Sequence, residues 1–133
     1  MIQLIYISTA KRLMTADDLQ SIMLTSLIHN SKKHVTGILL FDQGTFCQAL
    51  EGEQRVVHEL FKKIKNDPRH TNIIKIFDDE IQSRDFSTWS MRFINLNQYD
   101  RNKIDGYQEF NEAFQNQNFI KPIEAKKMLL HFR

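Results

Sequence analysis

The stretch HVTGILLFDQGTFCQALEG, residues His34 to Gly52, decides the fold because it holds two apolar runs separated by Asp-Gln-Gly. Apolar runs of this length bounded by turn residues predict strands. The short connection predicts an antiparallel hairpin with a three-residue loop, Asp42 to Gly44, in which Gly44 takes the left-handed position. The rest of the chain is interpreted outward from this hairpin.

Gln48 is the residue that does not match the apolar pattern of the second strand. Side chains alternate along a strand, so Gln48 shares its face with Phe46 and Leu50. A buried amide without hydrogen bonds costs roughly 1–3 kcal/mol. The sequence therefore predicts that Gln48 has hydrogen-bond partners on the core side of the strand.

The segments on either side of the hairpin alternate between strand and helix patterns. The run Ile2–Ser8 is apolar on both faces, which predicts a central strand. Thr15 and Asp18 form a capping-box pattern that starts a helix ending near Asn30. The remaining predicted elements are a helix over 53–66, strands over 72–81 and 87–96, and helices over 104–114 and 122–132.

This order predicts an α+β fold, a ferredoxin-like βαββαβ sandwich with a fifth strand and two C-terminal helices. In that fold the first and third strands are neighbours, which brings Tyr6 beside the strand that carries Gln48. We expect the tail to cap the free face of the sheet, since an uncovered face exposes a large apolar patch. Its apolar positions are Ile104, Tyr107, Phe110, Phe114, Ile123, Met128, Leu129 and Phe132.

Composition narrows the functional class. The chain has 133 residues, a formal charge of +2 and a single cysteine, Cys47, which predicts one domain, no internal disulfide and a reducing cytoplasmic location. No signal peptide or membrane-length apolar run is expected, and the histidines lack metal-binding spacing. Local lysine patches are typical of solvated helix faces, so we expect no nucleic-acid partner and no membrane association.

Three polar residues lie on faces that the pattern assigns to the core: Tyr6, Gln48 and Asn30. Each alone has an ordinary explanation, such as a helix cap or a bond to a backbone carbonyl. Together they supply the donors and acceptors with which an apolar pocket orients a planar heteroaromatic ligand. They could equally satisfy one another.

Two further segments carry polarisable or charged groups. In FSTWSMRF, a strand would place Trp89, Met91 and Phe93 on one face, either as plain core or as exchangeable neighbours of a ligand. In KNDPRH, Asp67, Arg69 and His70 form either a charged loop or a set of contacts to a ligand edge and phosphates.

The ordered set of Tyr6, Asn30, TGILLF leading to FCQALEG, DPRH and WSM resembles the BLUF domain, a blue-light sensor that uses FAD. The resemblance covers about residues 1–98 and leaves 99–133 as a C-terminal helical extension. It implies non-covalently bound FAD, with the ring between the two helices and the sheet. Residues alone do not separate FAD from FMN.

The resemblance also implies roles for individual residues. Asn30 and Gln48 would bond the polar edge of the flavin, and Ile22 and Phe46 would pack on its ring. Tyr6 would bond Gln48 and donate an electron and a proton to the excited flavin. Trp89 and Met91 would pass the signal to the C-terminal helices. The other implied contacts to the cofactor are Ser26, Lys63, Asp67, Arg69, His70 and Met91.

The implied function is a non-enzymatic photoreceptor that acts through a partner protein or a change of oligomer, because little chain remains for an effector domain. The alternatives are a ferredoxin-like hydrolase, which lacks a glycine-rich anion loop here, and an RNA-binding module, which the charge balance disfavours. A light-insensitive interaction module is the remaining alternative.

Overall fold

Residues 1–88, 90–116 and 120–133 are described by a computed structural model, and their strands form one mixed sheet of five. The strands are β1 (Ile2–Ala10), β2 (Thr36–Asp42), β3 (Thr45–Gly52), β4 (His70–Glu80) and β5 (Arg92–Asn95). The helices are α1 (Ala16–Lys32), α2 (Gln54–Lys65), α3 (Tyr107–Gln115) and α4 (Pro122–His131). Two short 3₁₀ turns, Leu96–Gln98 and Arg101–Lys103, lie between β5 and α3.

The strand order is β4-β1-β3-β2-β5, so the ferredoxin-like prediction is confirmed. β1 and β3 are central and antiparallel, and the fifth strand adds to the sheet parallel to β2. The register pairs Tyr6 directly with Gln48, which confirms the predicted adjacency.

The start of α1 is the predicted capping box. The Thr15 hydroxyl accepts a bond of 3.1 Å from the Asp18 amide, and the Asp18 carboxylate accepts one of 3.0 Å from the Thr15 amide. These bonds satisfy amides that the helix itself leaves unpaired. Arg12 also binds the Asp18 carboxylate, and this guanidinium holds the pKa of Asp18 well below its usual range.

The hairpin loop is one residue shorter than predicted. Asp42 pairs with Thr45, which leaves Gln43 and Gly44 as the loop, with φ angles of 48° and 86°. Two consecutive left-handed residues match the twist of the flanking strands, whereas a longer loop would need a bulge. Gln is an unusual residue for the first loop position, so the sequence did not indicate this turn.

The sheet has an apolar core on each face. The α1/α2 core contains Leu4, Tyr6 and Phe46, and the core on the other face contains Ile5 and Cys47, as alternation requires. α3 and α4 cover this second face through Tyr107, Phe110, Ala125, Met128, Leu129 and Phe132. The expectation for Ile123 was wrong, because its side chain is 73% exposed.

The predicted fifth strand, residues 87–96, was wrong in its first half because β5 begins only at Arg92. β4 and β5 lie at opposite edges of the sheet, so the chain between them has to cross the sheet before it can pair with β2. Met91 precedes the strand, but it packs in the α1/α2 core together with Phe93, as the predicted shared face requires, and Trp89 lies outside the described residues.

Candidate functional site

A cavity of about 250 Å³ lies between α1, α2 and the sheet, and polar side chains from β1, α1, β3, α2 and β4 reach its wall. It brings together all but two of the predicted site residues: Tyr6, Ile22, Ser26, Asn30, Phe46, Gln48, Lys63, Asp67, Arg69 and His70. Met91 does not line it, and Trp89 lies outside the described residues. The convergence follows from the fold, since both helices pack on one face of the central strands.

Tyr6 and Gln48 form the polar centre of the wall. The Tyr6 hydroxyl donates to Gln48 Oε1 at 2.5 Å, and the two side chains are each 4% exposed. Gln48 Nε2 in turn donates to Met91 Sδ at 3.4 Å. The buried amide thus has a partner for each end, and the phenol has an acceptor for its proton.

Burial sets the protonation of the groups around Gln48. Removal from water raises the pKa of Tyr6 far above its usual range, with smaller contributions from Cys47 and Asp67. The same cause raises the pKa of the Cys47 thiol to about 12. Tyr6 is therefore a neutral phenol at physiological pH, able to donate a hydrogen bond, and Cys47 is a neutral, inert thiol.

Asn30 is held at the far end of α1 and is 2% exposed. Its side-chain Nδ2 donates to the Ser90 carbonyl at 3.1 Å. Its backbone carbonyl accepts hydrogen bonds from the amides of Lys33 and Val35. The side chain therefore joins the helix end to the residue that precedes Met91. The helix-cap interpretation explains the backbone of Asn30 but not this side-chain bond.

His70 is buried beside Tyr6 and bridges two elements. Nε2 donates to the Ile64 carbonyl at 2.6 Å, because a carbonyl can only accept. Nδ1 is hydrogen-bonded to the Ser8 hydroxyl, at 2.7 Å. His70 thereby fixes the end of α2 against β1, and its ring centre lies 6.3 Å from the Tyr6 ring centre.

The mouth of the cavity is charged. Arg69 binds the Asp67 carboxylate through two nitrogens, with the shortest contact at 2.5 Å and side-chain exposures of 37% and 26%. The Arg69 guanidinium holds the pKa of Asp67 below its usual value although partial burial opposes this shift. The exposed Lys63 lies on the same rim. Cationic and anionic groups thus stand side by side where the cavity meets water.

Sequence reasoning missed several residues of the wall. The cavity is also lined by Thr25, His29, Leu39, Leu50, Leu60 and Ile64. Leu39 is paired with Gln48 across β2 and β3, so strand register would have indicated it. Thr25 and His29 lie on the same side of α1 as Ile22 and Ser26, at helical spacing.

A comparison with protein families identifies the family of this chain. A family model described as BLUF, sensors of blue-light using FAD, matches residues 1–92. The chain belongs to the BLUF family.

Relatives of this BLUF chain include larger proteins. The β subunit of photoactivated adenylate cyclase from Euglena longa is 39% identical over 89 residues, which are 66% of this chain and 10% of that protein. The chain thus spans about a tenth of the length of that curated relative.

Two solved structures resemble the BLUF chain over nearly its whole length. BlsA in its photo-activated state has a TM-score of 0.81 at 29% identity and covers 99% of this chain and 95% of its own. BlrB, described as a BLUF protein in its dark state, has a TM-score of 0.78 at 27% identity and covers 98% and 93%. Both similarities therefore extend beyond residues 1–92 into the part of this chain that contains α3 and α4.

The described part of the chain contains no helix that is both long and apolar enough to cross a membrane. Within the same residues, no group of three or more His, Cys, Asp or Glu side chains is placed to hold a metal ion.

Proposed function

We propose that this chain detects blue light through FAD held non-covalently in the cavity between α1, α2 and the sheet. The supporting observation is the hydrogen bond from the Tyr6 hydroxyl to Gln48 Oε1 at the cavity wall. It joins an oxidisable side chain to an amide that has a second bonding direction. In such a pair, a change in the hydrogen bonds of the amide can remain after the excitation has decayed.

The donor set of the cavity fits a flavin. Asn30 and Gln48 place two amides in a wall that is otherwise largely apolar, and amides can match both the N–H and the C=O groups of a planar ring edge. Ile22 and Phe46 supply apolar surface for the ring itself. We assign the edge contacts to the two amides and the ring contacts to these two apolar side chains.

The charged mouth supports the choice of a dinucleotide. Lys63 and Arg69 lie on the rim, where the diphosphate of a ligand whose ring fills the cavity would emerge. We assign Lys63, Asp67 and Arg69 to this outer part. We also assign Ser26 a contact with the ligand, and His70 the support of the inner wall. A mononucleotide would leave part of this charged rim without a function.

When bound, the flavin supplies the absorption of blue light and an electron acceptor in its excited state. Tyr6 would supply one electron to this acceptor and, because oxidation makes a phenol strongly acidic, would pass its hydroxyl proton to Gln48. The return of the electron and the proton to Tyr6 would restore the starting groups, so no group would be consumed. Burial keeps Tyr6 protonated before this step, which couples the two transfers.

Gln48 retains a change after the transfer from Tyr6, because its amide can rotate or change tautomer while it holds the proton. In the structure its Nε2 faces Met91 Sδ and its Oε1 faces Tyr6. Rotation about the amide exchanges these two atoms and replaces the bond to Met91 by a weaker contact. Trp89 and Met91 are assigned to the outward step through β5 and the C-terminal helices.

We propose that the output passes from residues 99–133 to a partner protein of the cytoplasm, or to a second copy of the chain. The buried, unpaired Cys47 supports a reducing compartment. Residues 1–98 form the light-sensing part in this proposal, and the chain itself performs no catalysis.

Absorption spectra of the purified protein before and after blue light test this proposal. We expect bound oxidised flavin that extraction identifies as FAD, and a small reversible red shift that decays in the dark. Gln48→Leu should retain the flavin and lose the normal shift, while Gln43→Leu in the hairpin loop serves as the matched control. A colourless preparation that takes up no added FAD contradicts the proposal.

A further inference from the structure

Part of the chain between β4 and β5 contacts both cores of the sheet, and we call its residues 85–88, 90 and 91 the crossing segment. Phe86, 1% exposed, is packed in the α3/α4 core, and Met91, 2% exposed, is packed in the α1/α2 core. This crossing segment therefore passes from one face of the sheet to the other. A shift at one of its ends displaces groups that face the opposite core.

The cavity end of the crossing segment is held by two site residues. Asn30 Nδ2 donates to the Ser90 carbonyl at 3.1 Å, and Gln48 Nε2 donates to Met91 Sδ at 3.4 Å. A thioether is a weak acceptor, so the second contact is easily exchanged when the Gln48 amide turns. This end of the segment is thus attached to the residue that we propose to change in light.

The other end is held by a fully buried carboxylate, that of Glu51. Its oxygens accept 2.8 Å bonds from the amides of Asp85 and Phe86 and from Gln3 Nε2. Glu51 lies three residues beyond Gln48 on β3, so the two side chains point to opposite faces of the sheet. The central strand β3 therefore holds both ends of the crossing segment, one through Gln48 and the other through Glu51.

The amide of Gln3 links this grip to a second carboxylate. Gln3 Nε2 also donates to Asp85 Oδ2 at 2.9 Å, while Gln3 Oε1 is buried without a hydrogen-bond partner in the described part of the chain. Turning the amide over would point its oxygen at two carboxylates. The oxygen is thus left unpaired because Gln3 Nε2 holds the two carboxylates of Glu51 and Asp85 together. We call Gln3, Glu51 and Asp85 the clasp.

The clasp reaches α4 through an ion pair. Lys126 Nζ of α4 lies 3.1 Å from Asp85 Oδ2, with side-chain exposures of 34% and 24%. Lys126 also lies over the Phe77 ring of β4, 5.8 Å from its centre. The crossing segment is therefore bound to Gln48 at Met91 and to α4 at Asp85.

We infer that the clasp and Lys126 carry the change at Gln48 to α4, and that Glu51 is a positioning residue for this transmission. The inference rests on the proposed function. Loss of the Gln48–Met91 contact removes one of the two side-chain bonds that hold the cavity end of the crossing segment, while Glu51 keeps the other end attached to β3. The displacement then moves Asp85 and changes its ion pair with Lys126. This change shifts the preferred position of α4.

The first test needs no light and uses the full chain loaded with FAD. Hydrogen exchange of the α4 amides is measured in the dark for Met91→Leu, Lys126→Met and the double variant. Met91→Leu keeps the volume but removes the acceptor of Gln48. We expect it to change α4 exchange about threefold or more, and this change to vanish in the Lys126→Met background.

Lys127→Met is the matched control, because Lys127 is the exposed neighbour of Lys126 on the same helix. The effect of Met91→Leu should persist in this background. Additive effects of Met91→Leu and Lys126→Met, or no effect of Met91→Leu on α4, overturn the inference.

The second test follows the flavin absorption shift and α4 exchange together under blue light. Lys126→Met and Glu51→Gln should keep the shift and reduce the light-induced change in α4 about threefold or more. Lys126 is partly exposed, so its variant serves even where Glu51→Gln fails to fold. A wild-type shift without any change in α4 overturns the inference alone. Absence of the shift overturns the proposed function, and the dark experiment still decides the coupling.

Discussion

Replacement of Tyr6 by Phe removes one hydroxyl and nothing else from the cavity wall. The ring stays in place because it packs on Phe61, with ring centres 5.4 Å apart, and Tyr6 is 4% exposed. In this variant Gln48 Oε1 loses the hydroxyl that donates to it at 2.5 Å in the wild type. Water does not readily replace the hydroxyl, since Gln48 is also 4% exposed.

An unsatisfied buried acceptor costs about 1–3 kcal/mol, which is the expected loss of unfolding free energy in Tyr6→Phe at neutral pH. An unfolding entropy of about 2.1 cal/mol/K per residue gives about 0.28 kcal/mol/K for 133 residues. The melting temperature should therefore fall by about 4–11 °C.

The pH dependence of this difference has a definite sign. The pKa of Tyr6 is raised on folding from its ordinary value of 10.0, so its protonated burial stabilises the protein fully below pH 10 and less at higher pH. By pH 11 the wild type should have lost about 1.4 kcal/mol through Tyr6, a loss that Phe cannot show. The difference in unfolding free energy between the wild type and Tyr6→Phe should therefore be about 1.4 kcal/mol smaller at pH 11 than at pH 7.

Urea unfolding of the flavin-free proteins at pH 7 and pH 11 measures both effects. Tyr99→Phe is the matched control, because Tyr99 is 43% exposed and should change stability by less than about 0.5 kcal/mol. Adding Gln48→Leu to Tyr6→Phe should cost less than the sum of the two single changes, since both partners are then apolar. A Tyr6→Phe protein as stable as the wild type at pH 7 would refute the reasoning.

Three further changes test the fold and the site. Gly37→Ala should lower the unfolding free energy in urea by more than about 3 kcal/mol, since the new Cβ would lie 2.0 Å from the Ala49 carbonyl oxygen; wild-type stability would contradict this packing. Cys47, 2% exposed with a pKa raised to about 12, should not react with a thiol reagent until urea unfolds the protein; rapid native labelling would show that the site is open. Asn30→Leu should weaken FAD binding about 5–150-fold in a fluorescence titration, because it removes a polar contact to the ring edge; an unchanged Kd would exclude Asn30 from the site.

The sequence predicted the Tyr6–Gln48 pair because two local rules were sufficient. Strand alternation placed both side chains on one face, and the order of elements made their strands neighbours. The start of α1 was predicted for the same reason, since the capping box of Thr15 and Asp18 lies within four consecutive residues. Interactions of this kind depend on spacing along the chain or on pairing of regular strands.

Glu51 shows where the same rules were applied incompletely. Alternation places it on the face of Cys47 and Ala49, and its register partner is Gln3. A charged residue that faces inward on a central strand signals a buried polar group, just as Gln48 did. What alternation could not supply was the set of donors, because the amides of Asp85 and Phe86 come from an irregular segment.

By itself, the sequence determined the order of strands and helices, the two faces of the sheet, and the meeting of Tyr6 with Gln48. The first two follow from periodicity and from short-range turn and cap chemistry, and the third also needs the strand arrangement that the order of elements predicts. Only the tertiary structure decided that the hairpin loop has two residues, that Met91 faces Gln48, and that a buried carboxylate anchors the crossing segment. Those features depend on how an irregular segment crosses between two sheet edges, and no repeat in the sequence encodes that route.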